Sequence, residues 1–174
     1  MRLFIAIRAP QEIHAQISRA AAHLHERMGV RVLPPESWHL TLRFIGDVDE
    51  EKAKEIGDAL SAVKFSPFPM HLFGAGAYPN THFPRAIYIG GESQGAQALA
   101  AEIERALSPF SLQKEKFSVH VTVARSKGAG DIEDFLKNTG EVGQFYVRSF
   151  VLMKSTLMAH EAGYEVLREY RAEG

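Results

Sequence analysis

Five apolar residues in a row, Leu3-Phe4-Ile5-Ala6-Ile7, stand between Arg2 and Arg8 and predict a buried strand. Ala9-Pro10 ends it, and a proline suits the first turn of the helix predicted next. From Gln11 to Met28 the residues Ile13, Ile17, Ala20, Ala21, Leu24 and Met28 recur at steps of three and four, which marks one helical face, and Gly29 closes it. Val30 to Leu33 predicts a strand ended by Pro34-Pro35, and Trp38 to Ile45 another before Gly46-Asp47. Asp49 to Val63 predicts an amphipathic helix, with Ala53, Ile56, Ala59, Leu60 and Val63 on one side.

Phe68 to Tyr78 and Ala86 to Ile89 then predict paired strands around the loop Pro79-Asn80-Thr81-His82-Phe83-Pro84. A helix from Gln94 to Leu107 leads to a strand from Phe117 to Ala124, a short helix from Ile132 to Lys137, and strands from Gln144 to Met153 and from Tyr164 to Tyr170. The helices lack the regular alternation of a parallel doubly wound sheet. The expected class is therefore α+β, with antiparallel sheets and helices packed outside. No linker or low-complexity stretch divides the chain, so residues 1–174 are expected to form one domain, with an internal boundary near residue 90.

Composition narrows the chemistry. At 174 residues the chain can bury a true core, and with no cysteine it has no disulfide, thiol nucleophile or cysteine-ligated zinc. Lys and Arg number 20 against 21 Asp and Glu, a formal charge of −1 that argues against a long phosphate track and leaves room for contact with one nucleotide end. The opening apolar run is too short for a signal-peptide core or a membrane span. The expectation is a cytoplasmic monomer with no membrane partner.

Two segments carry the candidate chemistry: His39-Leu40-Thr41-Leu42 and His120-Val121-Thr122-Val123, 81 residues apart. In a strand, residues i and i+2 share a face at about 6.8 Å, so each segment sets a histidine beside a threonine and turns its two apolar residues to the core. One such motif is ordinary in a half-exposed sheet; two near half-chain spacing are a signal. If an approximate two-fold axis relates them, two imidazoles and two hydroxyls meet around one point, and a tetrahedral phosphate fits between. The hydroxyls would donate to its oxygens while one imidazole takes a proton from the nucleophile and the other protonates the leaving oxygen. Histidine suits both roles because its ordinary pKa is about 6.5.

On these residues the chain resembles the two-histidine (2H) phosphoesterases, specifically the RNA 2′,3′-cyclic phosphodiesterases also called the 2′-5′ RNA ligase family. The resemblance extends over Arg2-Leu3-Phe4-Ile5-Ala6-Ile7, His39 to Gly46, His120 to Arg125 and Tyr164-Glu165-Val166-Leu167. It implies two pseudo-symmetric lobes around a central cleft and hydrolysis of a 2′,3′-cyclic phosphate to a 2′-phosphomonoester, without metal, cofactor or ATP. It implies RNA ends, tRNA fragments among them, as partners. It also implies that His39 protonates the leaving 3′ oxygen, that His120 takes the proton from water, that Thr41 and Thr122 bind phosphate, and that Arg125 joins them. Strand parity turns Arg125 away from His120 unless the strand ends or bulges near Ala124. Val119 stands where relatives often carry proline.

The other histidines have plainer readings. His14, His23 and His25 read as a solvated helix face, and His71, His82 and His160 lack a ligand-spaced partner. Lys114, Lys116, Arg125 and Lys127 form a basic neighbourhood that is either a solvated rim or a guide for a phosphate-bearing end. Among 11 phenylalanines, nothing singles out Phe44 or any other as a base-stacking ring. Three alternatives stay open: a phosphodiesterase for small cyclic nucleotides or 2′-5′ oligonucleotides, a non-catalytic RNA-end binding module, and a histidine-based metallohydrolase.

Overall fold

A computed structural model describes residues 1–158 and 162–174. In chain order the elements are β1 (Arg2–Arg8), α1 (Gln11–Ala21), β2 (Val30–Val32), β3 (His39–Asp47), α2 (Glu50–Leu60), β4 (Phe68–Pro79), β5 (Pro84–Glu92), α3 (Gln94–Leu107), β6 (His120–Ser126), α4 (Glu133–Asn138), β7 (Glu141–Val147), β8 (Ser149–Leu157) and β9 (Ala162–Arg171). The strands form a four-stranded sheet in the order β3-β1-β8-β9 and a five-stranded sheet in the order β2-β6-β5-β4-β7. Every pairing is antiparallel, as the α+β reading requires.

One core joins both sheets to the helices. Ile5, Leu40, Phe150 and Leu152 from the first sheet and Leu72, Ile87, Ile89 and Val121 from the second are buried with Ile17, Ile56 and Ile103 from α1, α2 and α3. The cleft face of the first sheet is partly apolar as well: Phe4, Ala6, Val151 and Met153 form a small separate cluster against Tyr164. Two helix starts are capped as their sequences allow. The Asp49 carboxylate accepts the Lys52 N–H at 2.8 Å, and the Ser93 hydroxyl accepts the Ala96 N–H at 3.1 Å.

Three expectations are corrected. The first helix stops at Ala21 and tightens into a 3-10 turn over Ala22–Leu24; Glu26 takes a positive φ of 60°, and Met28 is 84% exposed rather than core-facing. The segment beyond Leu24 is held instead by α4 and its approach, where the Asp131 N–H donates to Met28 O at 3.0 Å and Arg27 pairs with Asp134. The single strand expected from Gln144 to Met153 is two strands in different sheets, with the crossing at Arg148. Apolar alternation cannot reveal that switch, because β8 is covered on both faces and so reads as a continuous apolar run. The strand expected from Phe117 begins only at His120 and runs on to Ser126.

The internal boundary near residue 90 is also absent. The first sheet takes β1 and β3 from the start of the chain and β8 and β9 from its end, so the two lobes interleave in sequence. Each sheet nonetheless carries one H-x-T strand, β3 in the first and β6 in the second. Among the described residues, no helix is long and apolar enough to cross a membrane.

Candidate active site

The two H-x-T strands share one irregularity. On β3, Ala6 pairs with Thr41 and Ile5 with Arg43, which leaves Leu42 without a partner on β1. On β6, Tyr88 pairs with Thr122 and Ile87 with Ala124, which leaves Val123 without one on β5. Each unmatched residue is a bulge, and each shifts the alternation of faces by one. Leu42 and Arg43 are consecutively buried, as are Val123 and Ala124, and the next residue, Phe44 or Arg125, emerges on the open face. The bulge beside Ala124 thus turns Arg125 to the same side as His120 and Thr122.

A cleft of about 820 Å³ lies between the sheets, and His39, Thr41, His120, Thr122 and Arg125 all line it. Phe4, Phe44 and Tyr164 line it too, with Phe44 53% exposed. Arg43, the residue after the β3 bulge, instead points into the protein and is 5% exposed. It pairs with Glu104 of α3, lies 3.6 Å from Glu115, and donates to the carbonyls of Phe44 at 2.7 Å and of Gln113. The Phe44 N–H donates to Glu115 at 3.2 Å. This buried guanidinium therefore ties the backbone beyond the Leu42 bulge to the segment that leads into His120.

Both imidazoles are oriented in the same way. His39 donates from Nδ1 to the Ser37 carbonyl at 2.8 Å, and His120 from Nδ1 to the Ser118 carbonyl at 3.2 Å. Each neutral ring then keeps its proton on Nδ1 and leaves the Nε2 lone pair free to accept a proton. Rings fix both from the side. Phe4 and Tyr164 stand 5.1 and 5.2 Å from His39, and Tyr78 and Tyr88 stand 5.1 and 5.3 Å from His120. The Ser118 hydroxyl lies 3.3 Å from His120 Nδ1 and 3.2 Å from the Tyr78 hydroxyl, an additional link without a counterpart at His39 among the described residues. Tyr88 folds over Gly76, where a Cβ would come within 2.4 Å of its hydroxyl; glycine is what lets that ring lie there.

Burial lowers both imidazole pKa values. His39 is pushed down to about 4, chiefly by desolvation; the Ser37 carbonyl opposes this, while the nearby charges of Arg125 and His120 add to it. His120 is lowered as well, again by desolvation first and against the Ser118 carbonyl. In the free protein both rings are therefore neutral at pH 7. An anionic phosphate between them favours the charged form and raises both values, so its arrival lets one ring take up a proton from solvent. Two imidazoles, two hydroxyls and one guanidinium lining one cleft are equipped for paired proton transfer at phosphorus once one ring is charged.

The remaining candidates fall elsewhere. Of the basic neighbourhood, only Arg125 lines the cleft; Lys114, Lys116 and Lys127 are exposed outside it. His14 donates from Nε2 to the Ala9 carbonyl at 2.9 Å and packs edge-on against Trp38, and His71 pairs with Glu141 at 2.7 Å. His160 lies outside the described residues. Among the described residues, no group of three or more His, Asp or Glu is placed to hold a metal ion. Sequence reasoning missed Arg43, Ser37, Ser118, Phe4, Tyr78, Tyr88 and Tyr164. The serines had a findable signal, because each stands two residues before a motif histidine.

Comparison with known proteins agrees with this geometry. The model of a family described as LigT-like phosphoesterase matches residues 7–88. The RNA 2′,3′-cyclic phosphodiesterase of Archaeoglobus fulgidus is 33% identical over 98% of this chain and 99% of its own length. The protein of the same name from Aeropyrum pernix is 36% identical over 85% of this chain and 89% of its own. The crystal structure of TT0787 of Thermus thermophilus superposes with a TM-score of 0.88 at 26% identity, covering 100% of this chain and 99% of that one.

Proposed function

The chain belongs to the LigT-like phosphoesterases, and from that premise we propose that it hydrolyses RNA 2′,3′-cyclic phosphate ends to 2′-phosphomonoesters by acid and base catalysis from His39 and His120. The enzyme is a phosphodiesterase, as its relatives' names state for them. The observation that carries the residue assignment is the matched pair of imidazoles, each held through Nδ1 by the carbonyl two residues before it and each lining one cleft with a threonine and Arg125.

In the reaction, His120 Nε2 accepts a proton from water as its oxygen bonds to phosphorus. The bond from phosphorus to the 3′ oxygen breaks, and that oxygen takes the proton held on His39 Nε2. The 2′ ester survives, and a free 3′-hydroxyl forms beside it. Thr41, Thr122 and Arg125 donate to the non-bridging oxygens, where charge accumulates. The low pKa of His39 makes its charged form a strong acid, and the bound anion is what lets it hold that proton. A 5′-hydroxyl in place of water would give a 2′-5′ linkage through the same two histidines run in the same sense. The protein acts as a monomer on RNA ends, tRNA fragments included.

The test is incubation with a defined RNA ending in a 2′,3′-cyclic phosphate, in excess chelator. A 2′-phosphate product is expected. A 3′-phosphate product would reverse the leaving-group assignment. Activity lost to chelation and restored by zinc would replace the two-histidine mechanism with a metallohydrolase, and tight binding without turnover would leave an RNA-end binding module.

A further inference from the structure

Arg31 on β2 lies directly opposite Arg125 on β6 in the antiparallel register. Residues paired in this way point to the same face with Cβ atoms about 4.5–5.5 Å apart, and like charges so placed repel. That face is the cleft side, since Arg125 lines the cleft and Leu33, two residues beyond Arg31 and of the same parity, lines it as well. Both arginines are exposed, and among the described residues neither has a carboxylate at ion-pair distance. β2 is the edge of its sheet, where a single charge suffices to discourage edge pairing. A second guanidinium beside the first serves no such purpose, and an anion between them would turn the repulsion into a clamp.

We infer that Arg31 and Arg125 together hold a second phosphate, the phosphodiester one nucleotide inward from the cyclic end, so that the substrate class is an RNA of at least two nucleotides. This rests on the reading of the cleft as a cyclic-phosphate site. Arg31 sits one strand beyond Arg125 as seen from β5, about 4.8 Å further along the sheet. It is therefore displaced from the proposed reacting-phosphate position by one strand towards the open edge of the sheet, where a second phosphate has room. Each arginine presents a planar fork suited to phosphate oxygens, and Arg125 can serve both phosphates because its donors outnumber those one phosphate uses.

The experiment compares kcat/KM for a nucleoside 2′,3′-cyclic phosphate with that for a trinucleotide carrying the same end. The parent protein should favour the trinucleotide by about 10-fold or more, the gain from one charge-assisted contact. Arg31→Gln should bring that ratio towards one, mainly through KM, while Arg31→Lys retains part of it. The salt dependence of trinucleotide binding should also lose about 0.7 of logarithmic slope in Arg31→Gln, the effect of one phosphate contact on a single strand. Arg2, which lines the cleft on the first sheet, gives the control. Collapse of the ratio in Arg2→Gln but not in Arg31→Gln would send the RNA along the other wall and overturn the assignment. So would a parent ratio near one, or an equal loss on both substrates in Arg31→Gln. Inertness of the parent towards both substrates would instead remove the cyclic phosphodiesterase reading, and the subsite with it.

Discussion

Phe44 on β3 and Arg125 on β6 are counterparts: each stands five residues after its strand's histidine, and each is returned to the cleft by a bulge that buries the two residues before it. The same backbone device therefore delivers an aromatic ring from one sheet and a guanidinium from the other. On the proposed reading, a base would stack on the ring while the phosphate pairs with the guanidinium. The pseudo-symmetric frame thereby becomes a site with two chemically different walls.

Replacing either histidine should remove the paired proton transfer. His39→Ala and His120→Ala are each expected to lower turnover by at least about 10²-fold. Because the two act as a unit, the double variant should be little slower than the poorer single one. Single-turnover rates on a cyclic-phosphate RNA provide the measurement, and a folded variant with near-parent rates contradicts the mechanism.

Loss of the phosphate contacts should cost less. Thr41→Val, Thr122→Val and Arg125→Ala should each reduce transition-state stabilisation by about 1–3 kcal/mol in kcat/KM, Arg125 most because its contact is charged. Phe44→Ala should act differently, raising KM by the equivalent of one stacked base, about 1–3 kcal/mol. If Arg125→Ala matches the parent, its guanidinium does not meet the phosphate.

The pH profile of kcat/KM should be bell-shaped and lie on the acid side of neutrality. That profile reports the free enzyme, in which both histidines sit below 6.5 and His39 near 4, so the alkaline limb should fall before pH 6.5. The limbs belong to the coupled pair rather than to single residues. The profile of kcat should shift to higher pH, because the bound phosphate raises both imidazoles. An alkaline limb of kcat/KM above pH 7 would contradict the burial argument.

Stability should respond to the same depression. The unfolded chain binds a proton at His39 near pH 6.5, whereas the folded chain does so only near pH 4. Between these values the unfolded state holds more protons, so stability is full above pH 6.5 and falls as the pH drops towards 4. His39→Asn should flatten that decline in thermal melts across the window. An equally steep decline in the variant would assign it to other groups.

Arg43 should matter for the fold rather than for the chemistry. Arg43→Met removes a buried guanidinium that holds Glu104, Glu115 and two carbonyls, at a cost of about 1.5–3 kcal/mol for a charged hydrogen bond. Denaturant melts measure that loss. A kcat that falls alongside would indicate that the tie also aligns the β3 bulge with His120.

Local pattern was enough to determine much of this protein. The helix from Gln94 to Leu107, the hairpin pairing of β4 with β5, and the placing of His39 with Thr41 and of His120 with Thr122 on single faces follow from periods of 3.6 and 2 that neighbouring residues enforce. What those periods cannot carry is decided between segments distant in sequence. The bulges at Leu42 and Val123 exist only in register with β1 and β5, yet they decide that Arg125 faces the cleft and that Arg43 is buried. The crossing at Arg148 depends on which sheet covers β8, and the rings around His39 come from β1 and β9, at opposite ends of the chain. Side-chain periodicity is a property of one strand, whereas register, burial and the lowered imidazole pKa values arise only when strands meet and exclude water.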